Sequence, residues 1–222
     1  AAYFSKRADF YKNLFDTQTQ FMRPRNANGS WKSPFDPSEV AHAESKGGDY
    51  TEGNAWQYTW HVQHDVPGLI ALFGGEEAFL NKLDSVFTVE LKTTQADVTG
   101  LIGQYAHGNE PSHHMAYLYN YIGQPWKTQA MTRRLLDEMY APTPEGIVGN
   151  EDCGQMSAWY ILSAMGFYPV CPGSNEFALT TPVFEQVDLK LANGKTLTVT
   201  ANNPDKNIYI DAVTFNGQPV DK

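Results

Sequence analysis

The sequence has few cysteines, no long apolar run and no excess of positive charge. Its 222 residues contain two cysteines, Cys153 and Cys171, which is too few for a disulfide scaffold. A helix predicted between them would hold them about 15 to 20 Å apart at 1.5 Å per residue, so we expect both thiols to be free and mostly buried. No stretch of about 18 uninterrupted apolar residues occurs, which argues against a membrane span.

The net charge argues against one further class of protein, and the first residues predict a helix. A formal net charge of −9 at pH 7 disfavours a protein that holds phosphate backbones, so nucleic acid is not an expected partner. The opening residues AAYFSKRADFYKNLF have apolar side chains near helical spacing and lack the layout of a signal peptide. We therefore expect an amphipathic helix there, in a chain cut from a longer protein.

Helical patterns dominate from Pro34 to about Gly166, and residues rich in Gly, Pro, Asn and Asp mark the loops between them. Gly123 and Gly166 stand where helices commonly end. Short connections predict that neighbouring helices are antiparallel. The predicted helices run over 54–62, 65–73, 76–87, 110–122, 126–140 and 155–165, and the longest irregular loop runs over 28–50.

After Pro169 the pattern changes to an alternation of apolar and polar residues. Such residues flank Asn193-Gly194 in VDLKLANGKTLTVTA, which predicts a β-hairpin with a type I′ turn. Asn216-Gly217 offers a second turn of the same kind. We therefore predict a mainly α fold, with a helical domain over residues 1–170 and a small antiparallel β-sheet over residues 171–222 packed on the helical body.

Three junctions between a loop and a helix concentrate the polar residues. The first, DYTEGNAWQYTW, places Glu52 ahead of a helix with Trp56 and Gln57. The other two are QYAHGNEPSHHMAYLY, with Asn109, Glu110, His113 and His114, and GNEDCGQMSAWYILSAMGFYP, with Asn150, Glu151 and Asp152. In an antiparallel helical array, three such junctions can converge on one pocket.

The acids at these junctions have two interpretations. Glu52 and Asp152 can cap helices, since acids in a first turn stabilise free N–H groups and the macrodipole. Alternatively, two separated carboxyls, one protonated and one ionised, are the minimum apparatus for hydrolysing a glycosidic bond. For Asp65, ahead of the helix over 65–73, capping is the favoured interpretation.

The remaining polar residues suggest a metal or a set of structural hydrogen bonds. Asn109 and Glu110 supply the hard oxygen ligands that calcium prefers. His113 and His114 point about 100° apart on a helix, so they are poorly placed to bind one zinc ion together. Structural hydrogen bonding is the favoured role for both histidines, ahead of hydrogen bonding to a substrate. Cys153 has no thiol-protease signature around it, although it precedes a helix.

The three junctions in order resemble those of a known family. EGNAWQYTWHVQHDVPGL, QYAHGNEPSHHMAYLYNYIGQPW and GNEDCGQMSAWYILSAMGFYPVCPG are similar to the calcium-dependent α-mannosidases of glycoside hydrolase family 92, inverting exo-enzymes common in Bacteroides-like bacteria. The resemblance covers most of the chain. It implies the latter part of an (α/α)6-barrel catalytic domain, normally preceded by an N-terminal β-sandwich domain that is absent here.

The resemblance also implies roles for individual residues. Glu52 matches the general acid and Asp152 the general base, with Asn150 and Glu151 in support of the base. Glu110 and Asn109 match the region that places calcium beneath the sugar, and His113, His114, Trp56 and Gln57 are assigned to substrate binding. The expected substrate is a mannose-containing glycan with a terminal α-linkage. The α-1,2 linkage is the expected preference, although the residues themselves do not separate it from α-1,3, α-1,4 or α-1,6.

Two rival functions stay open on the sequence. Twelve Tyr, twelve Phe and five Trp also suit a carbohydrate-binding or structural module without turnover. A helical scaffold whose acids only cap helices is the other rival. A periplasmic or secreted location follows from the family alone.

Overall fold

The computed structural model describes residues 1–40, 48–90 and 98–220. The chain divides into two compact units, Ala1–Met115 and Ala116–Lys222, whereas the domain boundary expected at residue 170 stays a prediction. Within the irregular loop predicted over 28–50, residues 41–47 lie outside the described residues. The rest of that loop forms bends and turns, together with an isolated bridge between Arg25 and Trp31.

The first unit combines helices with two short pairs of antiparallel strands. Its elements are α1 Ala2–Ala8, β1 Phe15–Asp16, β2 Phe21–Met22, α2 Ala55–Tyr58, α3 Val66–Phe73, α4 Glu76–Val86, β3 Leu101–Ile102 and β4 Tyr105–Ala106. Strand β1 pairs with β2, and β3 pairs with β4. Three 3₁₀ segments, Asp9–Asn13, Glu110–Ser112 and Met115–Ile122, complete the helical part, and the last one continues into the second unit.

Helix α3 begins and ends where its sequence predicts. The Asp65 side chain accepts a hydrogen bond from the Gly68 N–H at 2.9 Å, so the predicted cap is confirmed. Pro67 lies in the first turn, where its missing N–H costs nothing. Gly74 ends the helix at φ +93°, a left-handed conformation that favours glycine.

Aromatic rings between α3 and α4 form the core of the first unit. The Trp60 ring stacks on Phe73, with centroids 5.4 Å apart, and meets the edge of Phe79 at 5.3 Å. All three side chains are at most 4 % exposed. Burial of one such side chain contributes about 1.5 to 3 kcal/mol, so this cluster fixes the two helices against each other.

The N-terminal helix is shorter than the amphipathic segment that the sequence predicted. Helix α1 ends at Ala8, and the chain continues as the 3₁₀ segment Asp9–Asn13. Tyr3 and Phe4 are 65 % and 71 % exposed, so the part of the expected apolar face that lies on α1 is not buried. The Tyr11 hydroxyl donates to Asp65 Oδ2 at 2.8 Å and attaches this segment to α3.

The predicted helix over 110–122 is wrong in type. Its residues form 3₁₀ turns over Glu110–Ser112 and Met115–Ile122, as when the His113 N–H donates to the Glu110 carbonyl three residues earlier. Residues 115–119 are at most 3 % exposed. The apolar run correctly predicted that these residues are buried. Tertiary packing nevertheless favours the 3₁₀ helix, which is more tightly wound than the predicted α-helix.

The second unit contains two longer helices and three strand pairs among its described residues. Its elements are α5 Pro125–Glu138, α6 Gln155–Met165, β5 Phe167–Tyr168, β6 Ala178–Leu179, β7 Gln186–Lys190, β8 Thr196–Thr200, β9 Val213–Phe215 and β10 Gln218–Val220. Trp159 of α6 stacks on Tyr140 with 3° between the ring planes. The strands pair as separate hairpins, β5 with β6, β7 with β8 and β9 with β10, so the expected small sheet consists of several two-stranded pieces.

The two predicted hairpin turns have different outcomes. Strands β9 and β10 meet at Asn216-Gly217, where both residues have positive φ, +50° and +78°, as a type I′ turn requires. Strands β7 and β8 also pair as predicted, but of Asn193 and Gly194 only the glycine has a positive φ. The type I′ prediction there is wrong, because the loop between Lys190 and Thr196 is longer than two residues.

Both cysteines are free, as predicted, but Cys153 is exposed rather than buried. None of the helices in the described part of the chain is long and apolar enough to cross a membrane.

Candidate active site

Glu52 lies in a bend directly before α2. Its backbone has φ +51°, a conformation that non-glycine residues seldom adopt. The carboxylate makes no hydrogen bond or ion pair with a described residue. Glu52 is not the cap of α2, because Asn54 holds that position. The capping interpretation of Glu52 is therefore wrong, and its backbone strain needs another explanation.

Three buried amides fix the start of α2. Asn54 and Gln57 form a reciprocal capping box: the Gln57 N–H donates to Asn54 Oδ1 at 3.3 Å, and the Asn54 N–H donates to Gln57 Oε1 at 3.1 Å. Their amide nitrogens donate to Gln104, from Asn54 Nδ2 to Gln104 Oε1 at 3.1 Å and from Gln57 Nε2 to the Gln104 carbonyl at 3.0 Å. We call Asn54, Gln57 and Gln104 the amide triad; its members are at most 1 % exposed.

The amide triad bears on the substrate-binding predictions for Gln57 and Trp56. Gln57 uses both ends of its side-chain amide inside the protein. Trp56 is partly exposed, and its ring meets Phe21 edge-on at 4.8 Å. Lys82 Nζ lies 4.4 Å from the Trp56 ring centroid, and burial lowers the pKa of Lys82 to about 8. A sugar contact by either Gln57 or Trp56 stays a prediction.

The junction around Asn109 lies next to Glu52. The Asn109 side-chain nitrogen donates to the backbone carbonyl of Glu52. Glu110 begins the 3₁₀ segment that follows and is partly exposed. The structure therefore brings two of the three predicted junctions together within the first unit.

The histidines of this junction are interior residues. His113 Nε2 donates to the His107 carbonyl at 2.8 Å, and His114 Nε2 donates to the Trp60 carbonyl at 2.6 Å. Burial lowers the pKa of His113 to about 4 and that of His114 to about 3. The favoured structural hydrogen bonds are confirmed, while the assignment of both rings to substrate binding stays a prediction.

The third junction lies in the second unit. Like the first junction, it places an acid in a left-handed backbone conformation. Asp152, Cys153 and Gly154 have successive positive φ values of +48°, +56° and +91°. The Asp152 side chain is exposed and makes no hydrogen bond with a described residue. Asn150 is also exposed.

Glu151 performs the capping that the sequence allowed for Asp152. Its Oε1 accepts from the Ser157 N–H at 3.1 Å in the first turn of α6. Hydrogen bonds from Ser157 lower the pKa of Glu151. The capping interpretation of Asp152 is wrong, because the adjacent acid satisfies the helix and leaves the Asp152 carboxylate free.

The shared conformation of Glu52 and Asp152 is uncommon in this chain. Six non-glycine residues in the described ranges have a positive φ. Three of them, Asp152, Asn203 and Asn216, are of types that tolerate the left-handed region, whereas Glu52 is not. Acids in this region cost about 1 to 3 kcal/mol each and cluster at functional sites. Glu52 and Asp152 are therefore the strongest candidates for the reacting groups.

The comparisons with known proteins identify the family of this chain. The model of the glycosyl hydrolase family 92 catalytic domain matches residues 1–222. The chain belongs to glycosyl hydrolase family 92.

Solved family 92 enzymes have the same fold over this region. A family GH92 α-mannosidase from Bacteroides thetaiotaomicron in complex with mannoimidazole is 45 % identical with a TM-score of 0.92, over 100 % of this chain and 30 % of that one. An inverting family GH92 mannosidase from the same species, strain VPI-5482, is 42 % identical with a TM-score of 0.83, over 99 % of this chain and 30 % of that one. The chain therefore spans under a third of these enzymes.

A curated fungal relative is also covered only in part. An uncharacterized secreted glycosidase from Arthroderma benhamiae is 31 % identical over 207 residues, which are 89 % of this chain and 25 % of that protein.

Family 92 implies a bound calcium ion. The second junction offers side-chain oxygen atoms, which are the kind of ligand that calcium prefers. Asn109 turns its amide nitrogen to the Glu52 carbonyl, which leaves its amide oxygen for a cation, and Glu110 adds a carboxylate. Two side chains are fewer than the six to eight oxygens that calcium takes, so backbone carbonyls, water or sugar hydroxyls must complete the shell. In the described ranges, no three His, Cys, Asp or Glu side chains form a group that could hold a metal.

Sequence reasoning missed Asn54 and Gln104 in this family 92 site. The signal for Asn54 was present, since Asn54 and Gln57 have the spacing of a capping box. Gln104 carried no local signal, because its partners lie 47 and 50 residues away in sequence.

Proposed function

We propose that the protein carrying this chain is an exo-acting, inverting α-mannosidase that needs calcium and removes terminal α-linked mannose from glycans. The observation that carries the proposal is a pair of acids, Glu52 and Asp152, in a family 92 chain. Each lies on a left-handed turn before a helix, and neither carboxylate makes a hydrogen bond with a described residue. The inverting mannosidase and the mannoimidazole complex among its relatives support the same chemistry.

In the proposed reaction Glu52 is the general acid. It gives its proton to the glycosidic oxygen as the bond from that oxygen to the anomeric carbon breaks, so the leaving sugar departs as a neutral alcohol. Removal of such a proton donor typically costs about 10²- to 10⁴-fold in rate.

Asp152 is the general base on the opposite face of the sugar. Its carboxylate takes a proton from water while the water oxygen bonds to the anomeric carbon, and the product is β-mannose. Inversion needs the two carboxyls about 6.5 to 9.5 Å apart, so that a water molecule fits between base and sugar. Asn150 and Glu151 flank the base and support it, with Glu151 holding the turn through its cap on α6.

Bound calcium would hold sugar hydroxyls and help to distort the ring towards its transition state. Asn109 and Glu110 are the side chains proposed to hold it. Trp56, Gln57, His113 and His114 are proposed to line or support the sugar site.

Several further properties follow from family membership alone. We place the helices in part of an (α/α)6 barrel, with a β-sandwich domain elsewhere in the whole protein. We propose a secreted or periplasmic location, and the name of the fungal relative supports the secreted one. Linkage preference is proposed as α-1,2.

The test follows mannose release by NMR, using the full natural polypeptide that contains this chain. An α-1,2-mannobiose should yield β-mannose first, faster than the α-1,3 and α-1,6 isomers, and excess EDTA should stop release until calcium is restored. Asp152→Asn and Glu52→Gln should each lose about 10²- to 10⁴-fold in turnover of the disaccharide. Asp137→Asn, an exposed acid on α5, is the matched control and should stay active.

Each contrary result would contradict a different part of the proposal. Initial release of α-mannose would contradict inversion, and normal turnover by Asp152→Asn would contradict its role as base. Mannose binding without release by the full polypeptide would favour the rival carbohydrate-binding module.

A further inference from the structure

We propose that Gln104 is a positioning residue that fixes the Glu52 turn through the amide triad. The proposal rests on the role of Glu52 as general acid given above. Gln104 itself need not touch the substrate, since its side chain is fully buried and engaged on both of its polar atoms.

Every side-chain oxygen and nitrogen of the amide triad has a hydrogen-bond partner. Asn54 and Gln57 each use their side-chain oxygen on the other's backbone N–H and their side-chain nitrogen on Gln104. Leaving one of these groups without a partner in the interior costs about 1 to 3 kcal/mol. The orientation of the α2 start relative to Gln104 is therefore strongly determined.

Gln104 connects the C-terminal end of α4 to this turn through hydrogen bonds. Its backbone N–H donates to the Val86 carbonyl at 2.6 Å, and its Nε2 donates to the Glu90 carbonyl at 3.1 Å. Helix α4 is itself held by the fully buried side chains of Phe79, Leu83 and Val86. Gln104 is thus bonded to the packed helix on one side and to the capping box on the other.

A single residue, Gly53, separates Glu52 from Asn54 of the amide triad. A Cβ placed on Gly53 would lie 2.5 Å from Gln57 Oε1, so the backbone passes close against the triad. On the other side, the Asn109 side chain donates to the Glu52 carbonyl. The backbone of Glu52 is therefore held from both sides, while its carboxylate makes no hydrogen bond or ion pair with a residue in the described ranges.

This arrangement matters for proton transfer because no hydrogen bond to a described residue orients the carboxyl directly. Its place is set by the backbone turn and by the substrate. A displacement of about 1 Å at a reacting group can cost about 10²-fold in rate. The proposed inverting reaction is a single displacement in which acid and base act together. Loss of the Gln104 bonds should therefore weaken protonation of the leaving oxygen more than it weakens activation of the water.

The experiment compares two leaving groups in the full natural polypeptide. A disaccharide needs protonation of its leaving oxygen, whereas 2,4-dinitrophenyl α-mannoside does not. Gln104→Met, of similar shape, should lower kcat/KM for α-1,2-mannobiose by about 10- to 100-fold and for the dinitrophenyl substrate by less than about 3-fold. Glu52→Gln, measured alongside, should show the same selectivity with a larger loss.

Two further variants separate positioning from general loss of structure. Asn54→Ser keeps a capping oxygen but removes the donor to Gln104, so it should reproduce the leaving-group selectivity of Gln104→Met. Gln129→Met is the matched control, because Gln129 is 2 % exposed and accepts from the Ile210 N–H at 3.0 Å in the second unit. It should slow both substrates by the same factor, if at all.

Equal losses on both substrates for Gln104→Met and Asn54→Ser, beside a selective loss for Glu52→Gln, would overturn the positioning role and leave the proposed function intact. A wild-type protein without turnover, or an unselective Glu52→Gln, would overturn the acid assignment and the positioning role with it.

Discussion

Glu52 and Asp152 show how a neighbouring residue can free a carboxylate for chemistry. At each junction the helix start is satisfied by another side chain, Asn54 for α2 and Glu151 for α6. The acids can therefore occupy left-handed turns without leaving a helix uncapped. At the residue scale the two junctions share one feature. One side chain hydrogen-bonds the start of the helix, and a nearby acid is left for the proposed reaction.

Asp65 shows the opposite case, in which an acid has a purely structural task. Its hydrogen bond from Tyr11 lowers the pKa of Asp65, and it caps α3. Because the folded pKa lies below the unfolded value of about 3.9, this contribution is present above the unfolded pKa and is lost as pH falls through the folded one. We expect Asp65→Ala to cost about 1 kcal/mol at pH 7 and the difference from wild type to shrink in acid.

Urea denaturation at pH 7 and at about pH 3 measures this difference. Asp65→Asn retains a capping oxygen without the charge and is the control. It should lie between the wild type and Asp65→Ala at pH 7. An Asp65→Ala penalty that grows on acidification would contradict the assignment.

At the element scale, glycines that end helices differ in what surrounds them. Gly166 ends α6 at φ +96°, and a Cβ there would lie 2.7 Å from Pro182 Cγ. Gly123, before α5, has φ +66° with nothing within 4 Å of such a Cβ. Both positions impose a left-handed backbone on any substituent, but only Gly166 adds a steric clash.

We therefore expect Gly166→Ala to lower the melting temperature more than Gly123→Ala does. The backbone penalty for alanine is roughly 1 kcal/mol at either site, and the clash at Gly166 adds about 1 to 3 kcal/mol of overpacking. Differential scanning calorimetry of the two variants measures the difference. Equal shifts would mean that Pro182 moves aside at little cost.

The elements that sequence predicts well are those whose determinants are local. The Asp65 cap, the Gly166 stop and the Asn216-Gly217 turn each depend on residues within a few positions. The 3₁₀ form of Met115–Ile122 and the amide triad depend on contacts between distant segments. The pattern of polar residues ahead of a helix located the acids of the third junction, but no sequence pattern indicated that Glu151 rather than Asp152 would cap α6.

At the scale of the whole molecule, burial of three histidines makes stability depend on pH. Burial lowers the pKa of His107 and His114 to about 3 and that of His113 to about 4, below the unfolded value of about 6.5. Between these values the unfolded chain binds more protons than the folded one, so stability falls as pH falls. Each histidine contributes a slope of up to about 1.4 kcal/mol per pH unit in this window.

We expect the free energy of unfolding to fall steeply from about pH 6.5 to about pH 4.5, and urea denaturation across this range measures the slope. His114→Gln should reduce the slope by about one quarter to one third, because it removes one of three strongly shifted proton sites while His61, whose pKa is also lowered by burial, adds a further one. Thr132→Val, at a buried site without a titrating group, is the control and should lower stability without changing the slope. A wild-type slope near zero would contradict the neutral, buried state of these rings, since that state is what makes the folded protein resist protonation.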